Sequence, residues 1–352
     1  MLALITAGSG ALAGPVSAAQ FHFSPVPWVR AAMDGLNLFG GQAVVNTVFG
    51  PSSLSTGTDG RITILLVGTD WRPRLTGTGE RMDSIMFMTI DNSHHISAIS
   101  LPRDVGNVPI GPGEVFKAKI NGLYKHFKQI CGNRTCALDD VRQAFQYAFQ
   151  IQIDYVAFVR FTGFDRLVTN VGGVHVTVPY NIYDSGIYDT RTMLQHGAKF
   201  LAGYTLEQGS GDADPCYTVG SPINWTATPN CTYALLYVRS RHGPGNSDWK
   251  RAARQQDFVF RAIQRVLSRG SGSNLQSLRT SALSNSDDFY TTLPTGPSDV
   301  VDIYNKVSGA FLTNHAVLQP PTYASNIPGT SKQELKIDVV RALFHSWFGP
   351  LN

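Results

Sequence analysis

The amino-acid sequence predicts an α/β fold in which a mixed or parallel sheet carries helices on its faces. A continuous apolar run at residues 61–68, RITILLVG, is typical of a strand buried on both faces. Segments with apolar residues at helical spacing then alternate along the chain with further strand-like segments. This alternation predicts a sheet with helices packed against it.

The predicted elements follow in order along the chain. Strands are expected at residues 61–68, 84–90, 96–101, 155–161, 174–178 and 233–238. Helices are expected at residues 138–150, 164–170, 248–269, 298–307 and 337–348. The apolar pattern stops over residues 182–232, which are expected to form a surface excursion. Residues 271–352 are expected to form packing elements.

Composition indicates a globular protein with one large domain or two ordinary ones. The chain has 352 residues, of which 43% are hydrophobic and 15% charged, which is enough for a sizeable core. Its net charge of +4 is mild, so nucleic acid is not an expected partner. Twenty arginines stand against nine lysines, a ratio that favours recognition of an anion over a generic basic surface.

The four cysteines form two local pairs, Cys131 with Cys136 and Cys216 with Cys231. Neither spacing matches the common zinc or redox motifs, and no histidine accompanies them. Two local disulfides are therefore expected, and with them an oxidising, extracytoplasmic location. Four unpaired thiols in a cytosolic protein are the alternative.

Residues 1–60 are expected to precede a domain at residues 61–352. Residues 2–19 are uncharged and rich in small and apolar side chains, and the tripeptide at 16–18 resembles a signal-peptidase site. The first basic residue is Arg30, so this segment could instead be the end of a membrane-spanning helix. A linker rich in Gly, Ser and Thr follows at residues 50–60. Both interpretations place the domain outside the cytoplasm.

An arginine-rich junction within residues 233–269 is the first candidate site. An apolar segment leads into Arg239 and Arg241, which share a face if that segment is a strand. Arg251 and Gln255 share a face of the helix that follows. Guanidinium groups suit phosphate oxygens, and a helix N-terminus adds unpaired N–H groups. A solvated basic face is the alternative, but the apolar run leading into Arg239 favours a site.

Two aspartates near strand ends are candidates for binding a divalent cation. Asp70 follows the first strand and Asp83 precedes the second, so their carboxylates can supply the oxygen ligands that Mg²⁺ requires. Spacing alone equally allows both to cap a turn or a strand end. With Arg103 and the arginine-rich junction, they form a set suited to phosphoryl or pyrophosphate chemistry. Sequence motifs for Gly-rich phosphate loops, a GxSxG elbow and an HExxH pair are absent.

Several dispersed blocks resemble the LytR-CpsA-Psr family of bacterial cell-envelope proteins. In chain order the blocks are ILLVGTDWR (64–72), RMDSIMFMTID (81–91), ISLPRD (99–104), KINGLY (119–124), IDYVAFVRFTGFDRLVTNVGGVHVTVP (153–179), YVRSRH (237–242) and DWKRAARQQ (248–256). Several blocks in the right order over residues 61–269 are far more specific than any single motif.

The resemblance implies a single αβα domain, with a central mixed sheet covered on both faces, on the outer side of the cytoplasmic membrane. It implies a cell-wall biogenesis transferase that moves a glycopolymer from a polyprenyl-pyrophosphate carrier to peptidoglycan, forming a phosphodiester with assistance from Mg²⁺ (or Mn²⁺). By motif, Asp70 and Asp83 are expected to hold the metal, and catalysis is expected to involve them with Arg103 and Arg241. The implied pyrophosphate ligands are Arg81, Arg103, Arg239, Arg241, Arg251 and Gln255.

The resemblance also implies an apolar tunnel for the carrier lipid between sheet and helices. Phe145, Phe149, Phe158 and Phe161 are candidates to line it, although such residues more often form ordinary core. Two other functions stay open, a lipid-pyrophosphate phosphatase that uses water as acceptor and a carrier-binding protein without turnover. Trp71 departs from the family pattern and leaves the choice of donor or acceptor open.

Overall fold

A computed structural model of the protein describes residues 50–71, 79–170, 172–188, 195–206, 233–269, 287–294 and 296–351. Fifteen strands lie within these residues. They are β1 (Ile62–Thr69), β2 (Met82–Ile90), β3 (His95–Ser100), β4 (Val105–Gly106), β5 (Val108–Gly111), β6 (Glu114–Phe116), β7 (Tyr155–Arg160), β8 (Val176–Thr177), β9 (Ile182–Tyr188), β10 (Gln195–Phe200), β11 (Thr205–Leu206), β12 (Phe289–Thr291), β13 (Phe311–Val317), β14 (Ala324–Asn326) and β15 (Gln333–Leu335).

The helices alternate with these strands. They are α1 (Leu123–Cys131), α2 (Arg134–Phe149), α3 (Phe161–Asn170), α4 (Ala234–Arg239), α5 (Asp248–Arg269), α6 (Pro297–Val307) and α7 (Ile337–Phe348), with a 3₁₀ turn at Ile120–Gly122. Helix α2 begins at Asn133, whose side-chain oxygen accepts the N–H of Cys136, and it ends where Gln150 adopts a left-handed conformation.

A six-stranded sheet in the order β12-β7-β1-β2-β3-β13 forms the centre of the domain. Strand β1 runs parallel to β7 and antiparallel to β2, and β13 runs parallel to β3, so the sheet is mixed. The long parallel connections pass through helices, as this geometry requires. The sequence-based prediction of a mixed α/β fold with helices on both faces is confirmed.

The two faces of the sheet carry different side chains because successive residues of a strand point in opposite directions. On one face Leu65 and Phe87 pack against α2 and α7 in a dense core that includes Phe145, Phe149 and Phe344. On the other face Ile62, Ile90 and neighbouring residues meet α5 and α6 through Phe260 and Tyr304. The helices thus cover both faces.

One predicted strand is wrong, because residues 233–238 lie within or beside the helix Ala234–Arg239. All of its side chains from Ala234 to Val238 are buried, and short apolar runs of this kind suit a buried helix as well as a strand. Arg239 is therefore the last residue of a helix, and Arg241 follows it in a turn. The prediction that Arg239 and Arg241 share one face of a strand is therefore wrong.

The start of the predicted surface excursion is an antiparallel hairpin of β9 and β10. Ile182 and Phe200 of this hairpin are buried, and the Phe200 ring lies 5.5 Å from the ring of Tyr237 in α4. Residues 207–232, with Cys216 and Cys231, lie outside the described residues, as does nearly all of the predicted N-terminal segment. In the part of the chain that the structure describes, no helix has both the length and the apolarity needed to cross a bilayer.

Candidate functional site

Two aspartates and three arginines from distant parts of the chain form one ion-pair cluster. Arg103, after β3, lies 2.8 Å from a carboxylate oxygen of Asp83 on β2 and 3.5 Å from one of Asp248 at the start of α5. Asp248 also lies 2.9 Å from Arg251 and 3.6 Å from Arg241. The carbonyl oxygen of Asp83 accepts a hydrogen bond from Arg251 at 3.3 Å.

The arginines of this cluster are not fully paired by the protein. The Nε atoms of Arg103 and Arg251 are buried and have no hydrogen-bond partner among the described residues. Burial opposes the positive charge of Arg103, but the carboxylates of Asp83 and Asp248 outweigh it and raise the pKa of Arg103. For Arg251 burial prevails over the same carboxylates and lowers its pKa. Buried donors without acceptors are costly, so the cluster is suited to receive an additional anion.

Asp70 lies beside this cluster at the end of β1. Its carboxylate accepts the backbone N–H of Arg81 at 3.0 Å, and its own N–H donates to the Arg81 carbonyl at 3.1 Å. Thr69 and Met82 are paired across the two strands, so Asp70 and Asp83 each follow one member of that pair. The sheet therefore places the two predicted metal ligands at neighbouring strand ends. The Arg81 residue is exposed there.

Arg239 and Gln255 lie at the edge of a cavity rather than in the ion-pair cluster. The Arg239 guanidinium lies 4.4 Å from the centre of the Phe161 ring, and both residues line the cavity. The Gln255 side chain donates to the carbonyl of Val238 at 3.0 Å, across the junction of α4 and α5. Arg239 and Gln255 thus bring polar groups to the edge of the cavity.

The cavity has a volume of about 590 Å³ and lies between the sheet and helices α3, α5 and α6. Its walls are almost entirely apolar, and side chains that share this face of the sheet form its floor. They include Leu66, Met86, Met88, Ala157 and Val159, which face Phe164, Leu167, Phe258, Val259 and Ile263 of the helices. Arg160, Arg239 and Gln255 are the charged and amide-bearing residues of the lining. Its size is that of a typical small-molecule pocket.

The four predicted lipid-contacting phenylalanines do not form one set. Phe145 and Phe149 are fully buried in the core on the opposite face of the sheet, where each packs 5.3 Å from Phe87. They do not belong to the lining of this cavity. Phe158 borders the cavity, but its ring lies 5.5 Å from that of Tyr124 on the core face. Of the four, only Phe161 lines the cavity without also belonging to the core on the other face. The sequence pattern predicts that such residues are buried, but it does not show on which face of the sheet each one lies.

A buried ion pair next to the mouth was not predicted. Arg160, the last residue of β7, donates to both carboxylate oxygens of Glu80 at 2.8 and 3.0 Å, and its guanidinium lies 4.5 Å from the ring centre of Trp71. Burial works against ionisation of Glu80, but hydrogen bonds from Arg160 and Thr69 outweigh it and lower the pKa of Glu80. Glu80 and Arg160 are eighty residues apart, and no local pattern links them.

The Sγ atoms of Cys131 and Cys136 are 2.16 Å apart, between α1 and α2. The carboxylate of Asp140 lies within 4.8 Å of both sulfurs, the one such group of three side chains found within the described ranges, but disulfide-bonded sulfurs are not the thiolates that bind metal ions. That group is distinct from Asp70 and Asp83. The structure thus brings together one of the two predicted cysteine pairs.

Fold and site together define an α/β domain in which an apolar cavity opens beside a cluster of incompletely paired arginines. The family model described as LytR_cpsA_psr family matches residues 42–208. The predicted resemblance to the LytR-CpsA-Psr family is thereby confirmed over this segment, which holds 167 of the 352 residues.

Two curated relatives share sequence similarity with the chain over most of its length. The chain is 27% identical over 277 residues to the cell wall biosynthesis protein LcpA of Corynebacterium glutamicum, a match that covers 69% of this chain and 45% of the relative. It is 24% identical over 220 residues to the polyisoprenyl-teichoic acid–peptidoglycan teichoic acid transferase TagV of Bacillus subtilis, covering 62% and 46%. The matches thus span about half the length of these two relatives.

The fold matches that of B. subtilis TagV in its crystal structure. The TM-score is 0.55 with 20% sequence identity, and the match covers 83% of this chain and 98% of that one. The likeness therefore extends over nearly the whole of the TagV domain and supports the common fold.

Proposed function

We propose that the domain is an extracytoplasmic transferase that moves a glycopolymer from a polyprenyl-pyrophosphate carrier to peptidoglycan. One observation carries the proposal, namely that the lining of the apolar cavity includes Ser84, Arg239 and Gln255, which lie one, two and four residues along the chain from Asp83, Arg241 and Arg251 of the arginine cluster. A ligand that fills both has a hydrocarbon tail and an anionic head. The name of TagV, a polyisoprenyl-teichoic acid–peptidoglycan teichoic acid transferase, describes a donor and an acceptor of this chemistry.

The protein's own residues bind and orient the donor in this proposal. The lipid occupies the cavity, while the pyrophosphate lies against Arg103, Arg241 and Arg251 and accepts hydrogen bonds from the unpaired Nε–H groups of Arg103 and Arg251. Arg81, Arg239 and Gln255 border the same region and are the further candidate ligands. Fixed positive groups that face the phosphates stabilise the charge that develops during transfer.

The reaction joins acceptor and glycan through a phosphodiester. A sugar hydroxyl of peptidoglycan attacks the phosphorus next to the glycan, the bond from that phosphorus to the bridging oxygen breaks, and polyprenyl phosphate leaves. The hydroxyl proton needs an acceptor, for which Asp83 and Asp104 are the candidates. Both carboxylates are ion-paired, Asp104 with Lys119 at 2.6 Å and Asp83 with Arg103 at 2.8 Å, so both stay candidates.

Mg²⁺ or Mn²⁺ is the implied cofactor, and the donor set is compatible with it. Asp70 and Asp83 supply hard carboxylate oxygens from neighbouring strand ends, and Mg²⁺ commonly takes one or two carboxylates with substrate phosphates and water as its other ligands. When bound there, the ion would neutralise negative charge on the phosphate oxygens. We therefore propose that these two residues hold it and that tight binding requires the donor.

Substitution at the arginine cluster tests the proposal. With a synthetic donor that carries a short polyprenyl chain, pyrophosphate and a disaccharide, Arg241→Ala and Asp83→Ala should each lower transfer to peptidoglycan by about 10²- to 10³-fold. The matched controls are Arg142→Ala and Asp139→Ala, which remove another Arg–Asp pair (2.7 Å) on the surface of α2 and should leave transfer unchanged.

Product analysis separates the outcomes. A transferase yields a peptidoglycan conjugate, whereas release of the glycan phosphate alone would identify a phosphatase. Full transfer by both cluster variants would overturn the site assignment. Co-purified lipid bound by a protein that shows no turnover would instead indicate a carrier-binding protein.

A further inference from the structure

The turn that carries Arg241 is held by a carboxylate from the β9–β10 hairpin. Asp184 of β9 is fully buried, and one of its oxygens accepts three hydrogen bonds. They come from the Ser240 hydroxyl at 2.9 Å, the Arg241 N–H at 2.7 Å and the His242 N–H at 2.9 Å. We infer that Asp184 is a positioning residue for Arg241, a role that rests on the proposed function.

The second oxygen of Asp184 is also occupied. It accepts the N–H of Gly186 at 2.9 Å and lies 3.4 Å from Nδ1 of His242. A buried carboxylate is stable only when several donors surround it, and here most of those donors belong to one three-residue turn. The carboxylate and the turn therefore fix each other.

A close backbone contact reinforces this arrangement. Gly243 has a φ of +91°, and a Cβ atom at this position would lie 1.8 Å from the carbonyl oxygen of Tyr183. No side chain fits there, so the turn lies directly against β9. On the other side of the turn, the buried Arg254 guanidinium donates to the Ser240 carbonyl.

The geometry of the turn determines where the Arg241 side chain starts. Its guanidinium reaches Asp248, which is shared with Arg103 and Arg251. Loss of the Asp184 hydrogen bonds would free the Arg241 backbone and misplace its charge relative to the phosphates. Misplacement by about 1 Å can reduce catalysis on the order of 100-fold, so the effect should fall on kcat rather than on folding alone.

The first measurement needs no substrate. Hydrogen exchange of the segment 240–243 should be at least about tenfold faster in Asp184→Asn than in the wild-type protein, because the Arg241 and His242 amides lose a charged acceptor. Gly243→Ala should have the same effect, because the added Cβ would force the turn away from β9. Unchanged exchange in both variants would overturn the inference.

Asp299→Asn is the matched control. Asp299 is also buried and accepts hydrogen bonds from Ser52, Ser53 and the N–H of Gly296, but it contacts no residue of the arginine cluster in the described structure. Its replacement should lower the Tm, as Asp184→Asn does, while exchange at 240–243 and kcat/KM stay at wild-type values. A general loss of stability is thereby separated from positioning.

A double-mutant cycle with the synthetic donor tests the connection to Arg241. Asp184→Asn should lower kcat/KM by about 10- to 100-fold, mainly through kcat, but by less than about twofold in the Arg241→Ala background. Losses that multiply in the double variant would show that Asp184 acts independently of Arg241 and would overturn the inference. If the wild-type protein transfers nothing, the proposed function fails, while the exchange measurement still decides whether Asp184 holds the turn.

Discussion

The two faces of the central sheet are made by the same strands but differ in how they are filled. On the side of α2 and α7, Phe87 is surrounded by Phe145, Phe149 and Phe344 with ring centres 5.1 to 5.3 Å away. On the side of α3 and α5, the adjacent residue Met86 borders the 590 Å³ cavity. One step along β2 thus separates a closed core from an open space.

This difference shows how the fold keeps a stable core beside an open apolar cavity. Closely packed interiors stabilise a domain, whereas a large apolar cavity leaves its lining without contacts. The aromatic cluster on one face lets the sheet remain rigid while the other face stays open. We therefore expect substitutions on the closed face to cost more stability than matched substitutions on the cavity face.

The largest effect should follow the loss of Phe87 from the closed face. Phe87→Ala is expected to lower the free energy of unfolding by about 3 to 5 kcal/mol, because the void cannot be refilled by the three neighbouring rings. Met86→Ala is expected to lower it by about 2 kcal/mol or less, since that side chain already borders open space. Urea denaturation measures both values. Equal losses would show that the two faces are packed alike.

Adding volume should again cost more stability on the closed face than on the cavity face. Ala144→Phe inserts a ring beside fully buried side chains of α2 and should cost about 1 to 3 kcal/mol. Ala157→Phe places the same ring in the cavity and should change stability by no more than about 0.5 kcal/mol. It should also weaken the binding of geranylgeranyl pyrophosphate, measured by calorimetry. Equal destabilisation by the two variants would contradict an open cavity.

The smallest effect concerns the stability in acid that the buried Glu80–Arg160 ion pair contributes. Because the pKa of Glu80 is lower in the folded protein, its ionised form adds stability above its unfolded pKa of about 4.3. This contribution disappears as the pH falls through the folded pKa. The stability difference between wild type and Glu80→Gln should therefore be constant from about pH 7 to 5 and shrink below about pH 4. Chemical denaturation at several pH values measures it, and a constant difference throughout would contradict the assignment.

Long periodic segments were predictable from the sequence, and short ones were not. The pattern at residues 337–348 predicts a helix that the structure has at Ile337–Phe348. The apolar run at 233–238 is too short to distinguish strand from helix, and burial against the β9–β10 hairpin and α5 favours helix. Strand β13 has no local signal of its place in the sheet, because its pairing with β3 joins residues more than two hundred positions apart.

The charged residues of the site were predictable as a set, but their partners were not. Asp83, Arg103 and Arg241 were identified from strand ends and family motifs, and the structure joins them through Asp248. Asp184 lies fifty-seven positions before Arg241, so only the folded chain reveals their contact. Residue type predicts the chemistry a side chain offers, whereas its neighbours depend on topology.

Contacts of the linker that precedes β1 hold it against one end of the domain. Ser52 and Ser53 bind Asp299, and Leu54 packs beside Ile62 at the beginning of β1, while Asp70 follows the other end of that strand. The eight residues of β1 span about 26 Å. The strand thus acts as a rigid spacer of set height. The linker residues that contact Asp299 are therefore held at a fixed distance from the end of the strand that carries Asp70.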